Sequence, residues 1–119
     1  MTTQTLATRS TTFKIGWIAL LVISVLATLN HIILAFVMMD EATLFIGWAA
    51  FNLYSTVVLY IPFRRGEKWA WYTSWILVIG FASLIFFATS QVGIPYLVAA
   101  GVLALGLLLT RSAFFSENG

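Results

Sequence analysis

The chain of 119 residues has no cysteine, one histidine, two prolines and few charged side chains. Without cysteine it can form no disulfide, no thiolate metal site and no thiol redox centre. The only histidine, His31, has no neighbouring carboxylate at ligand spacing, so we expect no metal site, no cofactor and no catalytic residue. A net charge of +2 that is spread along the chain also argues against nucleic acid as a partner.

Hydrophobic residues make up 61% of the chain and charged residues only 8%, against about 25% charged in a typical soluble domain. The charges are clustered, and residues 15–39, 42–63 and 69–110 contain none, which leaves uncharged stretches of 25, 22 and 42 residues. A membrane-spanning helix needs about 20 apolar residues, so the first two stretches predict one helix each. The third is too long for one crossing and contains a break at residues 90–95. The sequence therefore predicts an all-α integral membrane protein, a bundle of four helices.

The predicted helices cover residues 13–39, 42–61, 68–89 and 94–110, in one transmembrane domain of residues 13–111 between a disordered tail of residues 1–12 and a C-terminal tail of residues 112–119. Asp40 and Glu41 are expected to cap the second helix. Pro62 disfavours helical geometry at the residue before it and ends that helix. Pro95 suits the first turn of the fourth helix, where its missing N–H costs nothing.

The basic residues predict the orientation. Four crossings place both termini and the second loop on one side, together with every lysine and arginine: Arg9, Lys14, Arg64, Arg65, Lys68 and Arg111. Because cytoplasmic loops carry the excess of these residues, we expect both termini to be cytoplasmic and the protein to be a multi-pass protein of the cell membrane. Aromatic belts are expected at the cytoplasmic interface, from Trp17, Phe63, Trp69, Trp71 and Tyr72, and at the opposite one, from Phe45, Trp48 and Tyr96.

Uncharged polar residues near mid-membrane form a candidate site, the polar layer: Asn30, His31, Asn52, Ser55 and Ser83. Asn30 and His31 precede Glu41 by eleven and ten positions, and Asn52 follows it by eleven, so at a rise of about 1.5 Å per residue they share a depth of roughly 15 Å. Two interpretations remain open. Asn52 hydrogen-bonds His31 or Asn30 and holds two helices together, or the layer lines a pocket for a small molecule or a proton path.

The second loop carries the other candidate site, the basic cluster Arg64, Arg65, Lys68 and Trp69. This cluster is explained either by the charge bias and an aromatic belt or by contacts with anionic lipid headgroups or a phosphate. The string Arg-Arg-Gly-Glu-Lys-Trp-Ala-Trp-Tyr at residues 64–72, which enters the third of four short helices, resembles small prokaryotic membrane proteins of the DoxX-like type. That resemblance implies the four-helix layout and the cytoplasmic membrane of a prokaryote, and it assigns no catalytic residue.

Three functions are compatible with this sequence. The first is a non-enzymatic accessory or structural membrane component, which has membrane lipids as partners and forms a homo-oligomer or part of a larger membrane complex. The second is a small carrier or channel that uses the polar layer. The third, a membrane enzyme acting on a lipid or quinone, ranks last because no embedded acid, base pair or nucleophile is evident.

Overall fold

The computed structural model describes residues 10–115, and it confirms the all-α architecture of four helices. These are α1 (Thr11–Val37), α2 (Ala42–Tyr60), α3 (Lys68–Phe87) and α4 (Ser90–Phe115), with a short 3-10 helix, Met39–Glu41, between α1 and α2. All four α-helices are long and apolar enough to cross a membrane. The bundle surface exposes many large hydrophobic side chains, which suits helices that are surrounded by lipid.

The two ends of the helical region extend further than the sequence predicts. Ser10 caps α1, because its Oγ accepts a hydrogen bond of 3.1 Å from the backbone N–H of Phe13. Residues 11 and 12 are therefore helical, and the remainder of the predicted N-terminal tail, residues 1–9, lies outside the described residues. At the other end α4 continues to Phe115, so residues 112–115 of the predicted tail are helical and residues 116–119 lie outside the described part.

The connection between α3 and α4 is shorter than predicted. Only residues 88 and 89 separate the helices, so α4 begins four residues before the predicted start, and Pro95 is its sixth residue rather than part of its first turn. A proline there removes the hydrogen bond that residue 95 would donate to the Gln91 carbonyl. Gly93 allows the tight return, since a Cβ on it would lie 3.1 Å from the Ile85 Cα.

The predicted capping of α2 is wrong. Asp40 and Glu41 lie in the 3-10 turn, and neither side chain caps α2. The turn instead supplies backbone bonds, with the N–H of Glu41 donating to the Met38 carbonyl at 3.0 Å and that of Ala42 donating to Met39. The acidic side chains are therefore left on the surface of the turn.

The helices form a bundle about 51 Å long, in which three of the four pairs of neighbouring helices pack closely. Helices α1 and α2 pack as an antiparallel pair, α3 and α4 form a second pair, and α1 packs on α4, whereas α2 and α3 make little contact. Gly16 and Gly106 fix the crossing of α1 and α4, because a Cβ on Gly16 would lie 2.7 Å from the Gly106 carbonyl oxygen and one on Gly106 would lie 3.0 Å from that of Gly16. We call the end that carries Ser10, residues 61–67 and Phe115 the proximal end, and the other the distal end.

The proximal end is closed by buried aromatic residues. The rings of Phe13, Phe63 and Phe114 meet there, with centroids 4.8–6.4 Å apart. Trp17 and Trp71 are also buried, and their indole N–H groups donate to the carbonyls of Leu59 and Leu107 on the adjacent helices at 2.8 and 2.9 Å. Of the aromatic residues predicted at the cytoplasmic interface, Trp17, Phe63 and Trp71 are therefore core residues, while Trp69 and Tyr72 are exposed.

A cavity at the distal end of the bundle

The distal half of the bundle contains a cavity of about 760 Å³ to which all four helices contribute. Its lining comprises Asn30, His31, Leu34, Met38, Glu41, Leu44, Phe45, Trp48, Ser83, Leu84, Phe87, Ala88, Gln91, Val92, Pro95 and Tyr96. The lining is apolar along its walls, with polar groups gathered at two levels. Asn30, His31, Ser83 and Tyr96 form the deep level, which we call the floor, and Glu41 and Gln91 lie near the rim.

A chain of hydrogen bonds crosses three helices at the floor. The Asn52 amide nitrogen lies 2.9 Å from His31 Nδ1, and His31 Nε2 lies 3.0 Å from the Tyr96 hydroxyl. The amide nitrogen of Asn30 lies 3.4 Å from the same hydroxyl. Of the two partners considered for Asn52, His31 or Asn30, the structure brings His31 to it, and the chain continues to α4 through Tyr96.

The direction of this chain follows from the groups at its buried end. The Asn52 amide nitrogen also lies 2.8 Å from the Trp48 carbonyl oxygen, which can only accept, so this atom is the NH₂ group and its second hydrogen is directed to His31 Nδ1. A proton on Nδ1 would then oppose another donor at 2.9 Å. The amide donor of Asn52 favours the neutral tautomer with hydrogen on Nε2, donated to the Tyr96 oxygen, over the tautomer in which the ring donates from Nδ1 to the Ala27 carbonyl.

Aromatic rings surround the imidazole. The centroids of Phe45, Trp48 and Tyr96 lie 5.8–6.3 Å from that of His31, and all three rings are within about 27° of parallel to it. Phe81 of α3 meets the Tyr96 ring edge-on at 5.2 Å. These contacts fix the orientation of the floor side chains, because a ring held on its faces cannot turn without displacing its neighbours.

The members of the predicted polar layer therefore separate into different environments. Asn52 is fully buried, and its Oδ1 has no hydrogen-bond partner among residues 10–115. Ser83 lies on the cavity and donates to the Gly80 carbonyl of its own helix at 2.7 Å. Ser55 is not part of the layer, because it donates to Phe51 within α2 and lines a smaller gap of about 170 Å³ between α2 and α3.

The sequence did not identify Tyr96 of α4 as a cavity residue. Tyr96 was expected at the distal interface, but the early start of α4 places it six residues into the helix, about 9 Å along its axis. Phe45 and Trp48, which were predicted at the same interface, also line the cavity. The sequence did not indicate where α4 begins. Pro95 suggested a first turn near residue 94, whereas Gly93 allows a tighter return from α3 and therefore an earlier start.

The basic cluster lies at the proximal end, away from the cavity. The Arg64 guanidinium stacks on the Tyr60 ring at 4.7 Å. Arg65 and Trp69 both contact Glu67, at 3.8 Å as an ion pair and at 2.6 Å through the indole N–H. Two cations lie over the ring of Phe115: Lys68 of the cluster at 5.6 Å from its centroid, and Arg111 at 5.7 Å. The cluster is thus a positive surface with exposed aromatic rings, partly neutralised by one glutamate.

Comparisons with protein-family models, curated proteins and solved structures find no match to this chain. The resemblance to DoxX-like proteins therefore stays a prediction. Among residues 10–115 no three metal-binding side chains of histidine, cysteine, aspartate or glutamate lie together. The ligand preference of the cavity is therefore inferred from its lining side chains alone.

Proposed function

We propose that this chain is a multi-pass membrane protein that binds a small amphipathic molecule in the distal cavity, as a carrier or a binding protein. The observation that carries this proposal is the hydrogen-bond chain at the floor of a cavity with apolar walls. A site for a small molecule typically combines 300–1,000 Å³ of mostly apolar space with a few polar groups that orient the occupant. The cavity, at about 760 Å³, lies within that range.

A purely structural role explains only part of the network. The hydroxyl of Ser24 meets that of Thr56 at 2.7 Å, and Asn52 reaches His31, so α1 and α2 are already held together by polar contacts between them. Those contacts do not require Tyr96, which belongs to α4 and lies on the cavity. The structural and binding interpretations therefore apply to different residues, with Asn52 holding the helices and the His31–Tyr96 pair facing the occupant.

The proposed orientation places the proximal end in the cytoplasm of a prokaryotic cell. All five described lysines and arginines lie at or near that end: Lys14, Arg64, Arg65, Lys68 and Arg111. The charged residues of the turn between α1 and α2, Asp40 and Glu41, are both acidic, which agrees with the positive-inside rule. In this orientation the basic cluster meets the anionic headgroups of the inner leaflet, and the cavity belongs to the outer half of the membrane.

A cavity-filling substitution tests the proposal. Val92 lines the cavity, whereas Val98, on the same helix, lies outside its lining and is exposed. We expect a total lipid extract from the native membrane to raise the unfolding temperature of the wild type and of Val98→Phe in detergent, because a ligand that binds only the folded state stabilises it. Val92→Phe should lose this increase while keeping its unfolding temperature without extract.

The matched variant decides the interpretation. Both substitutions enlarge a valine of α4 to phenylalanine, so a general effect of a larger side chain on the helix would appear in both. Equal responses of Val92→Phe and Val98→Phe to the extract would mean that the stabilising molecule binds elsewhere. No response in the wild type would remove the evidence for a native occupant.

A further inference from the structure

We infer that the occupant of the cavity is a neutral amphiphile whose polar group is a hydrogen-bond acceptor, such as a carbonyl oxygen, and that the Tyr96 hydroxyl donates to it. This inference rests on the proposed function and specifies the chemistry of the ligand. It follows from the direction of the hydrogen-bond chain at the floor, which begins at a fixed acceptor, the Trp48 carbonyl, and ends at Tyr96.

The Tyr96 hydroxyl is left as a donor. Its oxygen accepts from His31 Nε2, so its own hydrogen needs a different acceptor. Asn30 does not provide one, because its amide nitrogen faces the hydroxyl at 3.4 Å. Even with the amide turned over, an oxygen at that distance would lie outside the 2.5–3.0 Å of a good O–H···O bond. Among residues 10–115 the Tyr96 hydroxyl therefore has no good acceptor, and it lies on the cavity lining.

The floor favours a neutral polar group over a cation. Asn30, His31, Ser83 and Tyr96 carry no formal charge when the imidazole is the neutral tautomer described above. The only charged residue on the lining is Glu41, in the turn at the rim, ten residues from His31 or about 15 Å along a helix. A cation at the floor would be desolvated with no countercharge beside it, which is costly in an apolar environment. Contacts with the faces of the surrounding rings would offset only part of that cost.

The aromatic shell fits an occupant with an apolar body. Phe45, Trp48 and Phe87 line the cavity between the floor and the rim, so an alkyl or ring system bound to the acceptor would lie against their faces. Leu44 and Trp48 also line a shallower apolar groove of about 540 Å³ between α2 and α3. That side of the bundle is the one where the helices make little contact, and it gives an apolar molecule a route from the lipid.

Three probes of matched chain length test the inference in bilayer nanodiscs. We expect 2-undecanone to bind more tightly than undecane, which lacks an acceptor, and than decyltrimethylammonium, which is a cation. Tyr96→Phe should weaken 2-undecanone by about 2- to 10-fold, which corresponds to one net hydrogen bond, and leave undecane unchanged. Tyr72→Phe, at an exposed tyrosine outside the cavity lining, should change neither.

Two spectroscopic readouts do not depend on stability. The infrared carbonyl stretch of ¹³C-labelled 2-undecanone should shift to lower frequency when it is bound to the wild type, and the shift should be absent in Tyr96→Phe. Because His31 is the only histidine, the ¹⁵N resonances of its ring need no assignment by mutation. They should show hydrogen on Nε2, and hydrogen on Nδ1 would overturn the direction of the chain even if Tyr96→Phe failed to fold.

The failures are distinguishable. If Val92→Phe does not weaken any of the three probes, the cavity is not their site and the proposed function fails. If Val92→Phe blocks 2-undecanone but Tyr96→Phe leaves both its affinity and its carbonyl stretch unchanged, the cavity binds ligands without this donor. Tightest binding of decyltrimethylammonium would contradict the neutral class and transfer the recognition to Glu41.

Discussion

Substitution of Gly16 by alanine should loosen the crossing of α1 and α4. A Cβ at this position would lie 2.7 Å from the Gly106 carbonyl oxygen, 3.0 Å from Thr110 Cγ2 and 3.1 Å from Leu109 Cβ. Ordinary van der Waals contact begins at 3.4 Å, so the two backbones must separate locally by about 3.4 − 2.7 = 0.7 Å along that contact. Neither a backbone carbonyl nor a Cβ can relieve it by changing rotamer.

The expected magnitude comes from two opposing terms. Overpacking of a close contact costs about 1–3 kcal/mol, and replacement of glycine by alanine in a helix gains at most about 1 kcal/mol. With the full propensity gain, Gly16→Ala should therefore lower the free energy of unfolding by up to about 2 kcal/mol. Gly106→Ala should lower it by less, because its Cβ would meet the Gly16 carbonyl at 3.0 Å but otherwise mainly the side chain of Leu20, which can move.

Gly101→Ala is the matched control on α4. Nothing lies within 4 Å of a Cβ at Gly101, so only the helix-propensity gain applies and the protein should be unchanged or slightly stabilised. Unfolding in mixed micelles by titration with sodium dodecyl sulfate, followed by tryptophan fluorescence, ranks the variants. Gly16→Ala with the stability of Gly101→Ala would show that α1 and α4 do not cross at Gly16.

Two further predictions concern the floor and the orientation. His31→Ala and Asn52→Ala should each lower the free energy of unfolding by about 1 kcal/mol or less, and the double variant by less than the sum, since both remove one shared hydrogen bond; additive losses in the same micelle titration would mean that the bond contributes nothing. Because the native chain has no cysteine, Ser112→Cys should react in intact cells only with a membrane-permeant thiol reagent and Thr89→Cys with an impermeant one as well. Gly66 is unsuitable for this labelling, because it is buried with a φ of 80°, and the opposite labelling pattern would reverse the orientation.

The number of helices and the common level of His31 and Asn52 along the bundle were predictable from the sequence. The uncharged stretches fix the helices because charge is expensive in a bilayer. Counting from Glu41 placed His31 and Asn52 at one level, and this succeeded because the turn between α1 and α2 is too short to add uncertainty. Their hydrogen bond of 2.9 Å confirms the estimate. The relative level of residues on two helices can thus be predicted from sequence where a short turn joins them, because residues can be counted in both directions from that turn.

The cavity was not predictable, because it depends on which helices pack together. The periodicity of apolar residues along the sequence cannot identify the packed face of a helix that is apolar on every side. The contact of Gly16 with Gly106 joins residues 90 positions apart, and nothing local at either glycine names its partner. The same limit explains why the burial of Trp17 could not be predicted.

Side-chain size along the bundle accounts for a closed proximal end and an open distal end. At the proximal end two glycines let the α1 and α4 backbones touch, so these helices converge there. At the distal end Phe45 and Trp48 turn inward and stack on His31, and α2 meets α3 only weakly. At the proximal end the rings of Phe13, Phe63 and Phe114 also fill the space between the helices, whereas the distal rings that stack on His31 leave space beside the weak contact of α2 with α3. The cavity therefore follows from how the side chains fill each end, and enlarging the glycines should loosen the proximal crossing without removing the cavity.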